Sequence, residues 1–303
     1  MEVIKFMKSI KLTPKKKKQL NMYVRLAIQI LFFLLFPSTF TSAFNGVKYI
    51  FTQIGLGSSV ALNSFLAVLI ALCVYTIVFG RFFCGYACAF GTMGDLLHKL
   101  YLFICKKMKK KPFKLNDKLS KVLSYLKYVV LLFIVIMYFL AYSSYLQGKS
   151  PWDVFSMIVS FNFRFNGYTF GIIALAVIMV GMFFIKRFFC RFLCPMGAVF
   201  SLLPSLPFTA VTRKRENCIK GCKACKNICP ANIDIPERGK WNVSGECFQC
   251  GECISVCPKQ NTGVSEKVRG NEIWYVLLRA VILLVVLYFI GVWYEKERYY
   301  SCC

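Results

Sequence analysis

Long apolar stretches bounded by polar or basic residues dominate the hydrophobic pattern of this 303-residue chain. Each is close to the roughly 20 residues that a helix needs to cross about 30 Å of hydrocarbon. Hydrophobic residues make up 57% of the chain and the mean hydropathy is +0.57, values too high for an ordinary soluble protein of this size. The pattern predicts five transmembrane helices, over residues 22–44, 60–79, 123–146, 168–185 and 272–294.

Charged and helix-breaking residues are rare inside these stretches. The first contains Arg25 and Pro37, and the fifth contains Arg279 near its start, where a long side chain is expected to reach the interface. The first stretch also resembles a signal peptide, because LAIQILFFLLF is followed by the small residues of PSTFTSA. Its basic lead of about 24 residues is long for a signal peptide. We therefore interpret it as an uncleaved span, with cleavage within residues 1–43 as the alternative.

Lysine and arginine are concentrated beside two of the predicted spans. Seven lysines precede the first span and eight lie between Lys106 and Lys121, whereas the loop after the first span has only Lys48. By the positive-inside rule the N-terminus and the segment after the fourth span are cytoplasmic, and the C-terminus is outside a prokaryotic cytoplasmic membrane. The net charge of +26 is concentrated beside the membrane spans, so the basic side chains are expected to contact membrane lipid, and no nucleic-acid partner is predicted.

An internal repeat follows the second and fourth spans. Residues 80–97 read GRFFCGYACAFGTMGDLL, and residues 186–203 read KRFFCRFLCPMGAVFSLL. We name residues 81–88 the first motif and residues 187–194 the second motif. Each follows an outward and an inward span, which predicts two parallel copies of a two-helix unit related by an axis along the membrane normal.

The two motifs supply four thiols, the four-cysteine group: Cys84, Cys88, Cys190 and Cys194. Residues i and i+4 share one face of a helix, so we expect the two thiols of each motif side by side at the cytoplasmic membrane face. Such thiols are able to hold a third iron–sulfur or metal centre, or to act as a dithiol relay. The alternative is a packing role, with Arg-Phe-Phe as an interface anchor.

Eight further cysteines follow the fourth span in two runs that each end in Cys-Pro, as in bacterial ferredoxins. Two-cluster ferredoxins take the fourth ligand of each cluster from the other run. This predicts two four-iron, four-sulfur (4Fe-4S) clusters. Each run supplies three ligands of its own cluster and the fourth ligand of the other. The ligands of the first cluster are Cys218, Cys222, Cys225 and Cys257, and those of the second are Cys247, Cys250, Cys253 and Cys229.

The gap between Cys218 and Cys222 is one residue longer than in that ferredoxin pattern, and Gly221 is able to absorb the extra residue. Zinc sites and disulfides are the alternatives, but neither requires the Cys-x3-Cys-Pro ending. Reduced thiols persist in the cytosol, which agrees with the predicted side of the membrane. The first cluster's type is therefore less defined by spacing than the second's.

The predicted fold is an all-α polytopic membrane protein that carries a small α+β two-cluster ferredoxin domain on its cytoplasmic side. Its segments are a basic lead, the first repeat, a basic loop, the second repeat, the ferredoxin domain and a fifth helix with a short outside tail. Their bounds are 1–21, 22–105, 106–121, 122–210, 211–270 and 271–303. Cys73 and Cys105 are interpreted as packing residues, and Cys302 and Cys303 as an outside terminal pair.

Taken together, the spans, the two motifs and the tandem ferredoxin resemble the NapH and MauN families of ferredoxin-type membrane proteins, and the C-terminal half of the nitrous-oxide reductase regulatory membrane protein. The resemblance covers roughly residues 20–262. Pro195 completes the family's Cys-x3-Cys-Pro pattern in the second motif, whereas Ala89 replaces that proline in the first. The resemblance implies an electron-transfer subunit of a membrane oxidoreductase, of quinol dehydrogenase type, working between the quinone pool or a cytoplasmic donor and another redox subunit.

Several absences limit the chemistry. His98 is the only histidine and no Cys-x-x-Cys-His occurs, so a haem held by two histidines of one chain is excluded. No dinucleotide fingerprint is present. Eleven basic against six acidic residues in 212–270 favour an acidic ferredoxin or flavodoxin as donor. An interfacial amphipathic loop with an aromatic belt is the favoured interpretation of the outer-face segment, and a quinone site is the alternative. The polar and aromatic residues that would contact the quinone are Trp152, Asp153, Asn162, Arg164 and Asn166.

Two other functions use the same residues. A membrane metal reductase, or a maturation factor for a metalloenzyme, would also need paired cysteines and clusters. A scaffold with purely structural clusters is the third hypothesis. Cluster potentials depend on charge, hydrogen bonding and exposure, so the sequence leaves the direction of electron flow open.

Overall fold

The computed structural model describes most of the chain from residue 14 onward. The described backbone comprises residues 14–140, 142, 149–159, 161–162, 166–206, 209–216, 218–237, 244–259, 261–264 and 272–301. Within these ranges, side chains are described from residue 19 to residue 291. The terminal Cys302 and Cys303, and Arg164 of the outer-face candidates, lie outside the described residues.

Helices make up nearly all of the regular structure. In the membrane part they are α1 Pro14–Leu35, α2 Thr39–Gly55, α3 Ser64–Phe79, a π-helical turn Phe83–Ala87, α4 Ala89–Lys107, α5 Asp117–Leu123, α6 Leu126–Phe139, α7 Pro151–Val159, α8 Thr169–Phe184, α9 Phe188–Phe192 and α10 Pro195–Leu202. The remaining elements are β1 Thr212–Arg213, α11 Ala224–Ile228, α12 Glu252–Val256, β2 Thr262–Gly263 and α13 Glu272–Ser301.

The predicted first span is not one straight helix. Helix α1 ends at Leu35, and α2 leaves it at an angle of 61°. Pro37 lies in the break, where its ring and its missing N–H prevent a continuous helix. The predicted first span over 22–44 is therefore bent at this proline and divided between two helices.

Apolar helices of spanning length are fewer than the five that were predicted. Among the described residues, Asp117–Phe139 and Glu272–Gly291 are long and apolar enough, and the bent pair of α1 and α2 makes a third if it counts as one span. Helices α3 and α8 are apolar throughout but have only 16 residues each. The chain is thus a mainly helical membrane protein, while the count of five spans stays a prediction.

A cluster of phenylalanine rings holds the membrane part together. Phe90 of α4 lies 4.0 Å from Phe155 of α7 and 4.7 Å from Phe189 of α9, measured between ring centroids. Phe40 of α2 packs against Phe90 and Phe189 at 5.2 and 6.0 Å. Each such pair contributes about 0.5–1.5 kcal/mol beyond its buried area. These contacts join the helices next to the first motif to those next to the second.

The cysteine-rich segment forms the predicted small α+β unit. Strands β1 and β2 pair antiparallel, with Thr212 opposite Gly263 and Arg213 opposite Thr262. This pairing brings the beginning and the end of the segment together. Val211, Ile235 and Cys253 form a small core under α11 and α12.

Helix α13 is anchored by Arg279, which does not reach toward solvent as expected. Its side chain is 2% exposed and lies 3.9 Å from the centre of the Tyr275 ring. It donates to the backbone oxygen of Thr209 at 3.1 Å and to Gln249 Oε1 at 3.4 Å. The expectation of an interfacial Arg279 is wrong because these buried acceptors replace water.

Candidate functional site

One cavity in the cysteine-rich unit is lined by the complete set predicted for the second cluster. Its volume is about 410 Å³, measured to its opening. Val211, Ile235 and Phe248 supply much of its apolar wall. The cysteines that line it are Cys229, Cys247, Cys250 and Cys253. Three come from the second run and one from the first, which is the cross-tied arrangement expected from the spacing.

A second cavity, of about 420 Å³, is lined by the other predicted set: Cys218, Cys222, Cys225 and Cys257. Gly221 has a φ of +75°, so it takes up the extra residue of this run in a conformation that favours glycine. Cys257 Sγ accepts a hydrogen bond from the backbone N–H of Asn261 at 3.3 Å. Cys218 and Cys222 are exposed to solvent.

Both cavities fit an iron–sulfur cluster in the chemistry of their donors. Each offers four thiols within a mainly apolar wall, and Arg213 Nη1 lies 3.5 Å from Cys225 Sγ. Among the described residues, no three His, Cys, Asp or Glu side chains converge as ligands of a single metal ion. A four-iron cluster does not need such convergence, because each thiolate binds a different iron.

Each motif breaks its helix between the two cysteines. Cys84 lies in the π-helical turn and Cys88 is extended before α4, with ψ of 124°. Cys190 lies in α9 and Cys194 caps α10, where its Sγ accepts from Gly197 N at 3.1 Å. Since Pro195 favours an extended residue before it, a continuous helix is disfavoured in the second motif. The expectation of two thiols on one helical face is wrong for both motifs.

The thiols of the four-cysteine group are all buried, with exposed fractions of 6% or less. Burial and the neighbouring Cys84 raise the pKa of Cys190 to about 12, although Arg187 and Arg81 oppose the rise. Burial raises the pKa of Cys88 and Cys194 well above the ordinary value, and repulsion from other thiols of the group adds to the rise. The four thiols therefore lie near enough to influence one another's charge.

Arg187 of the second motif is held by residues of the first half. Its Nε and Nη2 donate to the Asp95 carboxylate at 3.1 and 2.7 Å, and it also donates to the backbone oxygens of Cys84 and Gly85. Asp95 accepts from Arg25 Nη2 at 2.6 Å as well. Burial opposes its charge, but the two arginines hold the pKa of Asp95 well below its usual range.

Arg81, at the same position of the first motif, is 2% exposed and has different partners. Its Nη1 lies 3.4 Å from Glu246 Oε2 in the cysteine-rich unit. Its Nε and Nη2 have no hydrogen-bond partner among the described residues. Burial opposes its charge, yet the nearby Cys84, Glu246 and Cys194 raise its pKa. A positive charge therefore lies beside the four-cysteine group.

The second run rests directly on the first motif. The ring of Phe248 lies 4.8 Å from the Arg81 guanidinium and 5.5 Å from that of Arg187. A Cβ at Gly85 would overlap the backbone oxygen of Phe248, and Tyr86 Oη donates to the oxygen of Cys250 at 3.4 Å. The three cysteine sets thus lie in succession, from the exposed first run through the second run to the buried motifs.

The sequence drew attention to the cysteines and missed the ion pairs around them. No role follows from the sequence for Asp95, Glu246 or Arg25, and the repeated Arg-Phe-Phe enters only the alternative packing interpretation, as an interface anchor. The signal that pointed to them was the presence of arginine at the same place in both motifs. The carboxylates that pair with these two arginines lie 92 and 165 residues away in the sequence, beyond the reach of any local pattern.

A larger cavity lies beside Cys250, between α1, α4, α12 and the start of α13. Its volume to the opening is about 1500 Å³. Its wall combines apolar side chains with ionisable ones, including His98 and Lys99. The Nδ1 of His98 lies 3.2 Å from the backbone oxygen of Phe183, so it carries the proton and leaves Nε2 as an acceptor.

The outer-face candidates do not form an open polar site in the described part. Asp153 is paired with Lys48 at 3.6 Å, and Trp152 packs on Phe44 at 5.1 Å between ring centroids. Cys105 is buried in α4 and Cys73 half-buried in α3, and neither lines the two cavities of the cysteine-rich unit. The cavity at Cys250 is therefore better placed for a redox ligand than the outer face.

A comparison of the sequence with protein-family models matches the two segments that carry the motifs. A model described as a 4Fe-4S binding domain matches residues 63–112 and 168–208. These two segments contain the first and second motifs, and neither reaches the two cysteine runs after residue 217. The match supports iron–sulfur binding, and its two segments are those that carry the two motifs.

Curated relatives then define the family. The uncharacterized protein MJ0750 of Methanocaldococcus jannaschii is 32% identical over 234 residues, which cover 76% of this chain and 90% of that protein. The putative electron transport protein YccM of Escherichia coli is 28% identical over 64% of this chain and 53% of its own length. The ferredoxin-type protein NapH of Escherichia coli is 26% identical over 67% of each.

The chain belongs to the family of NapH-type, ferredoxin-like membrane proteins. Its match to the protein NirI of Paracoccus denitrificans covers only 24% of that longer chain. No solved structure matches this chain. These likenesses point to iron–sulfur electron transfer, as the resemblance implied.

Proposed function

We propose that the chain is a membrane-bound electron-transfer protein that relays electrons between a cytoplasmic donor or the quinone pool and a partner redox enzyme. The observation that carries this proposal is the gathering of the two predicted cysteine sets around two separate cavities. A 4Fe-4S cluster bound in each would supply reversible one-electron chemistry. The residues that would hold them are Cys218, Cys222, Cys225 and Cys257, and Cys247, Cys250, Cys253 and Cys229.

The four-cysteine group would hold a third centre, of iron–sulfur or other metal type. Two observations support it: the matched 4Fe-4S binding domain falls on the motifs, and the four thiols are buried beside Arg81. A buried cation next to thiols favours an anionic centre there, because it offsets the cost of burying negative charge. Cys88 and Cys194 each stand at the N-terminal cap of the helix that follows, and Cys194 Sγ accepts from Gly197 N in the first turn of that helix.

The duplicated membrane unit has support from the order of elements. In each half, two helical segments are followed by a 16-residue apolar helix and then by a motif. In the first half these elements are α1, α2 and α3, and in the second half they are α5–α6, α7 and α8. One family model also matches both halves. We place the motifs and the ferredoxin domain on the cytoplasmic side, from the lysine distribution.

The exposed first run would receive the soluble donor. Cys218 and Cys222 reach the surface, and Lys220 and Lys223 lie beside them in the sequence. An acidic ferredoxin or flavodoxin is the kind of protein that such a basic surface attracts. The cavity at Cys250 would receive a membrane-soluble quinone, since it combines an apolar wall with a proton acceptor at His98 Nε2.

Iron content tests the ligand assignment. We expect Cys84→Ser or Cys190→Ser to lose the iron of one centre, while Cys250→Ser loses that of another, because a hydroxyl replaces a thiolate ligand. The measurement is an iron and sulfide count with EPR on protein purified without oxygen. Cys105→Ser is the matched control, since it is buried but belongs to none of the sets. Full iron in both motif variants would remove the third centre from the proposal and leave the other two.

Reduction by quinol tests the role of His98. We expect His98→Gln to slow reduction of the clusters by a soluble quinol about tenfold, the modest loss that fits an open cavity in which water also takes protons. Dithionite reduction needs no proton acceptor there and serves as the control. Equal quinol rates in wild type and variant would argue against this cavity as the quinone site.

A further inference from the structure

The two motif arginines occupy equivalent positions but take their carboxylates from different parts of the chain. Arg187 is paired with Asp95 of the first membrane half. Arg81 is paired with Glu246, which belongs to the ferredoxin domain. Each carboxylate also binds one further cation, Arg25 for Asp95 and Lys127 for Glu246. Asp95 and Glu246 are thus each shared by two cations.

The positions around the two arginines correspond closely. Asp95 lies seven residues after Cys88, and the residue seven after Cys194 is Ser201. A Cβ at Gly91 would lie 3.0 Å from Cys84 O and 3.4 Å from Arg187 Nη1. A Cβ at Gly197 would lie 3.1 Å from Cys190 O and 3.0 Å from Arg81 Nη2. Each arginine therefore crosses to the opposite half at the same place.

Ser201 cannot supply the carboxylate that this place has in the first half. Its hydroxyl lies 2.8 Å from Tyr128 Oη, which donates to Glu246 Oε1 at 2.9 Å. A Cβ at Gly245 would overlap the backbone oxygen of Ser201. The ferredoxin domain is thus packed on Ser201 through Gly245. The residue after Gly245 is Glu246, whose carboxylate pairs with Arg81 and Lys127, the cations for which Ser201 has no acid.

We propose that Glu246, from the ferredoxin domain of the same chain, supplies the carboxylate that is missing at position 201. This exchange of a carboxylate at position 201 for one at position 246 docks the ferredoxin domain onto the membrane repeat. Glu246 precedes Cys247, a ligand in the proposed second set, so the ion group positions that set relative to the four-cysteine group. The short side chain of Ser201 makes room for Gly245 and leaves Arg81 and Lys127 available. The inference rests on the proposed duplication of the membrane unit.

Rescue of one substitution by another tests this exchange. We expect Glu246→Gln to lower the midpoint of thermal unfolding in detergent by about 5–10 °C, because two buried cations lose their acid. Adding Ser201→Asp should recover at least half of that shift, since the new carboxylate would face Arg81 as Asp95 faces Arg187. Failure of the rescue would overturn the proposal.

The matched control is Glu252→Gln, which removes another acid of the ferredoxin domain. Glu252 is paired with Arg25 of the first half at 2.6 Å and with Lys186 of the second half, and it has no ion pair with Arg81 or Lys127 among the described residues. Ser201→Asp should not rescue this variant. Equal rescue of both variants would mean that any added negative charge stabilises this basic chain, and would overturn the specific exchange.

Hydrogen exchange of residues 244–256 in the full chain separates docking from stability. In the Glu246→Gln/Ser201→Asp variant we expect exchange at least about tenfold faster than in wild type, because the new acid does not belong to the ferredoxin domain. Ser201→Asp alone should also speed this exchange, by competing with Glu246 for Arg81; this arm applies even if Glu246→Gln does not fold. Unchanged exchange in Ser201→Asp would contradict the inference.

Iron content of the same samples tests the iron–sulfur function separately. If the rescue fails while the iron content is full, the docking inference is wrong and the proposed iron–sulfur function is unaffected.

Discussion

Replacing Asp95 by asparagine is expected to lower the free energy of unfolding by about 3–5 kcal/mol, the cost of removing one partner from a buried ion pair. Asp95 is 5% exposed and is the only carboxylate that Arg187 contacts among the described residues. Asparagine has nearly the same shape, so the change removes charge and leaves packing intact. The measurement is denaturant unfolding in a mild detergent.

The control for this substitution is Asp117→Asn. Its side chain is 70% exposed and its ion pair with Lys226 is 3.8 Å long, so less than about 1 kcal/mol should be lost. Acid titration gives a second check. Because the folded pKa of Asp95 is depressed, its contribution is complete above its ordinary value of about 3.9 and is lost as pH falls toward the folded value. If Asp95→Asn and wild type lost stability in parallel over that acid range, this role of Asp95 would be wrong.

Replacing Gly85 by alanine is expected to loosen the ferredoxin domain from the first motif. The added Cβ would overlap the Phe248 backbone oxygen and lie 3.7 Å from Cys250 N. A backbone oxygen cannot rotate away as a side chain does, so the cost should be about 3 kcal/mol, at the upper end for overpacking. Hydrogen exchange of residues 244–256 should then become about a hundredfold faster.

Gly291→Ala is the matched control, since a Cβ there meets no atom within 4 Å in the described part. In an exposed helix this change should stabilise by up to about 1 kcal/mol. It should leave exchange of residues 244–256 as in wild type. If Gly85→Ala also left that exchange unchanged, the close contact between the second run and the first motif would be wrong.

The cysteine pairing was predictable because it depends on local spacing. Three thiols of one run line each cavity and the fourth comes from the other run, as the pattern of two-cluster ferredoxins predicts, while the binding of a cluster in each stays a prediction. Gly221 was also expected to absorb the longer gap, and its positive φ agrees. The apolar stretches likewise indicated helices at nearly the right residues, since length and hydropathy suffice for that.

What the sequence did not predict depends on contacts between distant segments. The ion pair between Arg25 and Glu252 joins residues 227 apart, and no periodicity marks it. The helix break at Cys88 was missed because a spacing of four fits both a continuous helix and a turn followed by a new helix. Only Pro195 signals the break locally, and the first motif has Ala89 instead.

The shortness of α3 and α8 has a consequence for the lipid. Sixteen residues of helix extend about 24 Å, less than the roughly 30 Å of the hydrocarbon layer. Such hydrophobic mismatch is relieved by local thinning of the bilayer or by protein that covers the helix ends. Non-helical backbone at membrane depth is tolerated only where protein buries it. In the proposed membrane arrangement, the cysteine-rich unit that packs on the first motif would supply that cover at the end of α3.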